Sequence, residues 1–121
     1  MMVIPRFQRT HVATNAVGLL LLWLLDPPSA GGLGLRRVEW LSHAENVRSR
    51  EFAVRLGFEF EGVARWQRVV AFGKVGNSAE ALAIRNKSAS ELPGKHIAVY
   101  SIVWDEWEEK RTKLVSQMAS R

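Results

Sequence analysis

The hydrophobic positions of this chain change their period from segment to segment, and the changes mark its elements. From Val12 to Leu25 apolar residues recur at i, i+3 and i+4. Ala13, Ala16, Val17, Leu20, Leu21 and Leu24 form one stripe, which predicts a buried helix. Asp26-Pro27-Pro28 ends it, because proline cannot continue a helix and restricts the residue before it. Ser29 to Gly34 reads as a flexible, glycine-rich connector.

The stretch from Arg36 to Val70 then packs strand, turn, helix and strand into one unit. Val38-Glu39-Trp40 has the β-branched and aromatic content of a short strand. Asn46 can cap the helix that follows, its side-chain oxygen accepting a first-turn N–H. Val47, Phe52, Ala53 and Leu56 are the expected buried stripe, and Gly57 stands where a left-handed residue ends a helix. From Phe58 the period becomes two: Phe58, Phe60, Gly62, Ala64 and Trp66 alternate with Glu59, Glu61, Val63, Arg65 and Gln67.

Gly73 to Lys95 is long for a hairpin connection, with a short helical piece from Ala79 to Ile84, and reads as an insertion. His96 to Trp104 is a nearly continuous apolar strand. The last helix carries Trp104, Trp107, Arg111, Leu114, Val115 and Met118 on one face. Its acidic residues come first and Lys110, Arg111 and Lys113 later, as the helix dipole favours.

Composition narrows the picture. The 121 residues allow one domain with a modest core, and 47% hydrophobic with 24% charged residues is ordinary for a globular chain. There is no cysteine, so disulfides and thiolate metal sites are excluded, and a reducing, cytoplasmic location is the expectation. His11, His43 and His96 have no metal-ligand spacing and read as surface or turn residues, so no metal is expected. The net charge of +5 arises mainly in residues 1–75, with 10 basic against 6 acidic residues. These charges are interspersed rather than striped, which argues against nucleic acid and leaves a phosphorylated small molecule as an anionic partner. The first 32 residues also imitate a signal peptide, with Arg6 and Arg9, an apolar run and Pro28-Ser29-Ala30. The helix reading is favoured, because cleavage would leave the strand at Val38 without the helix before it. Ten apolar residues are too few to span a bilayer, so no membrane is expected.

Three motifs in this order, Arg37-Val38-Glu39-Trp40, Asn46-x-x-Ser49-Arg50 and Leu56-Gly57-Phe58-x-Phe60-Glu61-Gly62, resemble the second half of a GNAT-family acetyltransferase domain, in its ribosomal-protein N-acetyltransferase-like branch. Gln8-Arg9-Thr10-His11-Val12-Ala13-Thr14 resembles that family's pyrophosphate loop, Q/R-x-x-G-x-G/A, with His11 where glycine is usual. Tyr100-Ser101-Ile102 and Asp105-Glu106-Trp107 resemble its last strand and the helix after it. The likeness covers residues 5–72 and 97–107 of a single partial domain, with 73–95 inserted and a C-terminal helix at 105–119.

The resemblance implies an α/β (α+β) fold, a mixed sheet with flanking helices, lacking the first three strands and most of the fourth. It implies an N-acetyltransferase that uses acetyl-CoA as co-substrate and acts on an amine of a protein N-terminus or small molecule. Gln8, Arg9, Thr10, His11, Val12, Ala13 and Thr14 would hold the pyrophosphate, where helix-start N–H groups and the dipole favour an anion. Asn46 would approach the pantetheine, and Ser49 would donate to the departing thiolate. Both also read as plain helix-capping residues. No general base is named; Glu39 and Glu45 are near in sequence, but alternation or capping explains each. The alternative is a truncated, inactive chain, or one completed by a partner, since an exposed edge at Val38–Trp40 is a template for self-association.

Overall fold

The computed structural model describes residues 11–120. Helix α1 spans His11–Leu25, and its buried residues are Ala13, Val17, Gly18, Leu21 and Leu25. The buried stripe is thus rotated from the expected one, for Ala16 is exposed and Leu20 and Leu24 are half-buried. Asp26 closes the helix through its N–H to the Leu22 carbonyl at 2.9 Å, and a 3-10 turn, Pro28–Ala30, follows.

The connector after it is anchored rather than flexible. Leu33, Gly34 and Leu35 donate their N–H groups to the carbonyls of Trp23, Asp26 and Leu24 at 2.7, 2.9 and 2.9 Å. These are helix-end carbonyls that need partners. Gly32 makes the approach, since a Cβ there would lie 2.1 Å from the Asp26 carbonyl oxygen.

Strand β1 (Arg37–His43) leads through Asn46 into α2 (Val47–Leu56). Ser49, Phe52, Ala53 and Leu56 form the buried side of α2, whereas Val47, expected there, is exposed. Gly57 adopts φ 105° and gives its N–H to the Val54 carbonyl, while Phe58 donates to the Ala53 carbonyl, the pair of hydrogen bonds of a glycine-ended helix.

Strands β2 (Glu59–Val69) and β3 (Gly94–Val103) complete a three-stranded antiparallel sheet in the order β1-β3-β2. Trp40 and Phe60 both stand opposite Tyr100, and His43 stands opposite Ile97. The strict alternation expected in β2 is broken by register shifts between Phe60 and Gly62 and between Ala64 and Arg68. As a result Phe60 and Val63, three apart, pair with Tyr100 and Ala98 on one face. A bulge adds a residue to one strand, and local sequence gives no count of partner residues.

Ala98, Tyr100 and Ile102 of the central strand meet α1, α2 and α4 (Trp107–Ala119) in one core with Phe52, Trp107 and Leu114. Trp104, expected on the α4 face, lies exposed in the 3-10 turn before that helix. Between β2 and β3 the chain makes an excursion with one short helix, α3 (Glu80–Asn86). Asn77 pins it: its backbone exchanges two hydrogen bonds with Gly94, its Oδ1 accepts from His96 N at 3.1 Å, and its Nδ2 donates to Glu45 at 3.1 Å.

Candidate functional site

The turn between β1 and α2 carries the two residues expected to do chemistry. Asn46 caps α2, its Oδ1 accepting from Ser49 N at 3.1 Å. This occupies the amide oxygen and leaves Nδ2 without a partner among the described residues, on an exposed side chain. Ser49 is buried beneath Trp40, whose Nε1 donates to Ser49 Oγ at 3.0 Å. An indole N–H can only donate, so the serine oxygen is the acceptor and its own hydrogen is available for another group. Trp40 is fixed in turn by ring contacts with Phe52 at 5.6 Å and Phe58 at 5.8 Å.

Of the residues expected at the pyrophosphate, Gln8, Arg9 and Thr10 lie outside the described residues. His11, Val12, Ala13 and Thr14 form the first turn of α1, with Ala13 in the core and Val12 exposed. Of the two carboxylates singled out near the turn in the sequence, Glu39 is engaged by Arg37 at 2.9 Å and Glu45 by Asn77.

Arg50, the last residue of the Asn46-x-x-Ser49-Arg50 motif, ties the turn to the central strand. It donates to the Tyr100 hydroxyl at 2.8 Å and the Ala44 carbonyl at 2.7 Å, and lies 5.3 Å from the Phe60 ring centroid. Val47, Arg50, Glu51, Val54, Arg55 and Tyr100 line an open groove of about 450 Å³ beside it. Neither this network nor the Trp40 bond was visible in sequence, because each joins residues on different elements.

On the other face of the sheet Arg37 donates to Glu61 at 2.6 Å, and the Ser101 hydroxyl donates to the same carboxylate. Those two hydrogen bonds hold the Glu61 carboxyl below the usual range. His43, expected as a surface or turn residue, ends β1 half-buried, with both ring nitrogens buried and unpaired among the described residues. Among those residues no group of His, Asp and Glu could hold a metal ion, and no helix is long and apolar enough to cross a membrane.

No family model and no curated protein matches the sequence. Solved structures do. A GCN5-related N-acetyltransferase from Brucella melitensis is 28% identical with a TM-score of 0.69, over 96% of this chain and 41% of its own. A probable GNAT-family acetyltransferase from Chromobacterium violaceum is 32% identical with a TM-score of 0.58, over 86% of this chain and 39% of its own. A putative acetyltransferase from T. thermophilus, 22% identical with a TM-score of 0.68, covers 96% of this chain and 49% of its own, a likeness of fold alone. The chain therefore spans less than half the length of each of these proteins. Its strand, capped helix and antiparallel strand pair make a partial GNAT fold, the fold of those acetyltransferases.

Proposed function

We propose that this chain is the coenzyme-gripping part of an acetyl-CoA-dependent N-acetyltransferase, of the ribosomal-protein N-acetyltransferase-like branch, acting on an amine of a protein N-terminus or a small molecule. The observation that carries this reading is the GNAT likeness along almost the whole chain, at 28% identity, with Asn46 and Ser49 at the turn between β1 and α2.

Bound acetyl-CoA would supply an activated acetyl group as its thioester. An amine attacks the carbonyl carbon, the C–N bond forms and the C–S bond breaks; the amine loses a proton and the thiolate gains one. The donors at the turn suit that chemistry. Asn46 has an amide NH2 left for a carbonyl of the pantetheine, and Ser49 has a hydroxyl hydrogen left for the thiolate. A hydroxyl that accepts a hydrogen bond is a stronger donor, so Trp40 both orients Ser49 and sharpens it. Serine is a poor acid in water, and its contribution rests on that placement. The N-terminal end of α1, with Gln8, Arg9 and Thr10 before it, would face the pyrophosphate.

Titration calorimetry of the folded chain with acetyl-CoA tests the reading. Saturable binding, competed by coenzyme A, is expected. A folded chain that takes up neither would end this proposal.

A further inference from the structure

We infer that a hollow at the end of β1, on the sheet face turned away from α1 and α2, receives a carboxylate of the acceptor, so that the acceptors are small amines carrying a carboxylate. The hollow is a feature of the fold; naming its occupant an acceptor rests on the acetyl-CoA reading above.

Trp40 is turned toward α2 by its bond to Ser49, and side chains alternate along a strand. Leu41 and His43 therefore face the other way. There Leu41, His43, Arg68, Lys95 and Ile97 help to line an open hollow of about 330 Å³. Sites for small ligands begin near this size.

Three of these side chains lack partners. Arg68 of β2 and Lys95 of β3 stand directly opposite each other in the ladder. Neither side chain has an ion-pair or hydrogen-bond partner among the described residues. Like charges so placed repel and weaken a sheet. His43 Nδ1 and Nε2 are buried and equally unpaired, and a buried polar group without a hydrogen bond is costly. Among the described residues no carboxylate lines the hollow. One oxyanion would satisfy all three groups. It neutralises the two cations and accepts from the imidazole, which in either protonation state has an N–H to donate.

The place of the hollow names its occupant. The His43 carbonyl accepts from Asn46 N at 2.9 Å, so the hollow adjoins the turn where the thioester is expected. In that reading the coenzyme's phosphates lie at the N-terminal end of α1, on the opposite face, and the oxyanion here belongs to the acceptor. Glu45, in the same turn, supplies the complement. Asn77 Nδ2 holds its Oε1 at 3.1 Å, and Oε2 has no partner among the described residues and is left for the acceptor's ammonium. Cations at one end and a carboxylate at the other fit a zwitterion with a few atoms between its charges. Asn77 also bonds Gly94 and His96, the two neighbours of Lys95, so the frame is built before the ligand arrives.

NMR titration of the folded chain with 4-aminobutyrate tests this, with the neutral 4-aminobutanamide as control. The His43 imidazole signals should shift saturably, with a dissociation constant of about 1 mM, and the amide should bind at least about ten-fold more weakly. Lys95→Met should weaken 4-aminobutyrate about ten-fold. His43→Phe should abolish its binding, read from backbone amide signals, while unfolding stays cooperative. Unmoved His43 signals, or equal affinity for acid and amide, overturn the proposal. A chain that binds coenzyme A yet ignores 4-aminobutyrate overturns it and leaves the acetyl-CoA reading standing. If 4-aminobutyrate binds to a chain that takes no coenzyme A, the assignment to an acceptor falls. Tighter binding of a tripeptide with an N-terminal glutamate overturns the assignment to small molecules.

Discussion

Trp40 and Ser49 stand on different elements, yet the indole nitrogen of the one lies 3.0 Å from the hydroxyl oxygen of the other. The bond points one way, from Trp40 to Ser49. If Ser49 protonates the leaving thiolate, Trp40 is a positioning residue for it. Ser49→Ala should then lower the rate of acetyl transfer about 100-fold with little change in acetyl-CoA affinity. Trp40→Phe keeps the packing against Phe52 and Phe58 and should lower the rate roughly three- to ten-fold. Steady-state kinetics decide; a Trp40→Phe rate equal to that of the unmodified chain would detach Trp40 from the chemistry.

Asn46 has two separable roles, one for each end of its amide. Asn46→Ala removes the cap and should cost about 1 kcal/mol in urea unfolding. Asn46→Ser keeps a capping oxygen but loses the NH2 donor, so it should retain most of the stability and weaken acetyl-CoA. If calorimetry finds acetyl-CoA binding to Asn46→Ser unchanged, the side chain caps a helix and does nothing more.

Asp26 joins the end of α1 to α4, accepting from Trp107 Nε1 and Arg111 Nε, both at 2.9 Å. It is 7% exposed. Burial alone would raise its carboxyl, but the hydrogen bonds from Arg111 and Trp107 outweigh it and hold the group below its ordinary 3.8. A depressed carboxylate stabilises the fold fully above its unfolded value, and that stabilisation is lost as pH falls through the lower folded value. Asp26→Asn should therefore cost roughly 2 kcal/mol at pH 7 and progressively less below pH about 4. Urea midpoints across that range measure it; a pH-independent difference would show that the charge of Asp26 contributes nothing.

His43 offers a stabilising substitution. Two buried nitrogens without partners carry a desolvation penalty that no bond offsets. His43→Phe fills similar space without polar atoms and should raise stability by about 1 kcal/mol, read as a higher urea midpoint at unchanged slope. A loss of stability would mean that the imidazole has a partner in solution.

The positions of these elements were largely legible before any coordinates. Gly57 marked the end of α2 because few other residues accept its conformation, and Pro27 and Pro28 marked the end of α1 because proline lacks the N–H that a helix needs. Asn46 read correctly as a cap because capping is a contact between near neighbours. The faces were less legible. Val47 was placed inside and lies outside, and the period-two reading of β2 failed at its bulges.

The sequence by itself determined the order of elements, the turn at Asn46 and the resemblance to an acetyltransferase. Each rests on interactions within a few residues, where spacing along the chain is spacing in space. Only the tertiary structure decided that Ser49 lies under Trp40, that Asp26 meets Trp107 across a separation of 81 residues, and that β2 stands at the sheet's outer edge. Those facts depend on strand register and on which helix faces meet, and both are settled by packing between distant segments.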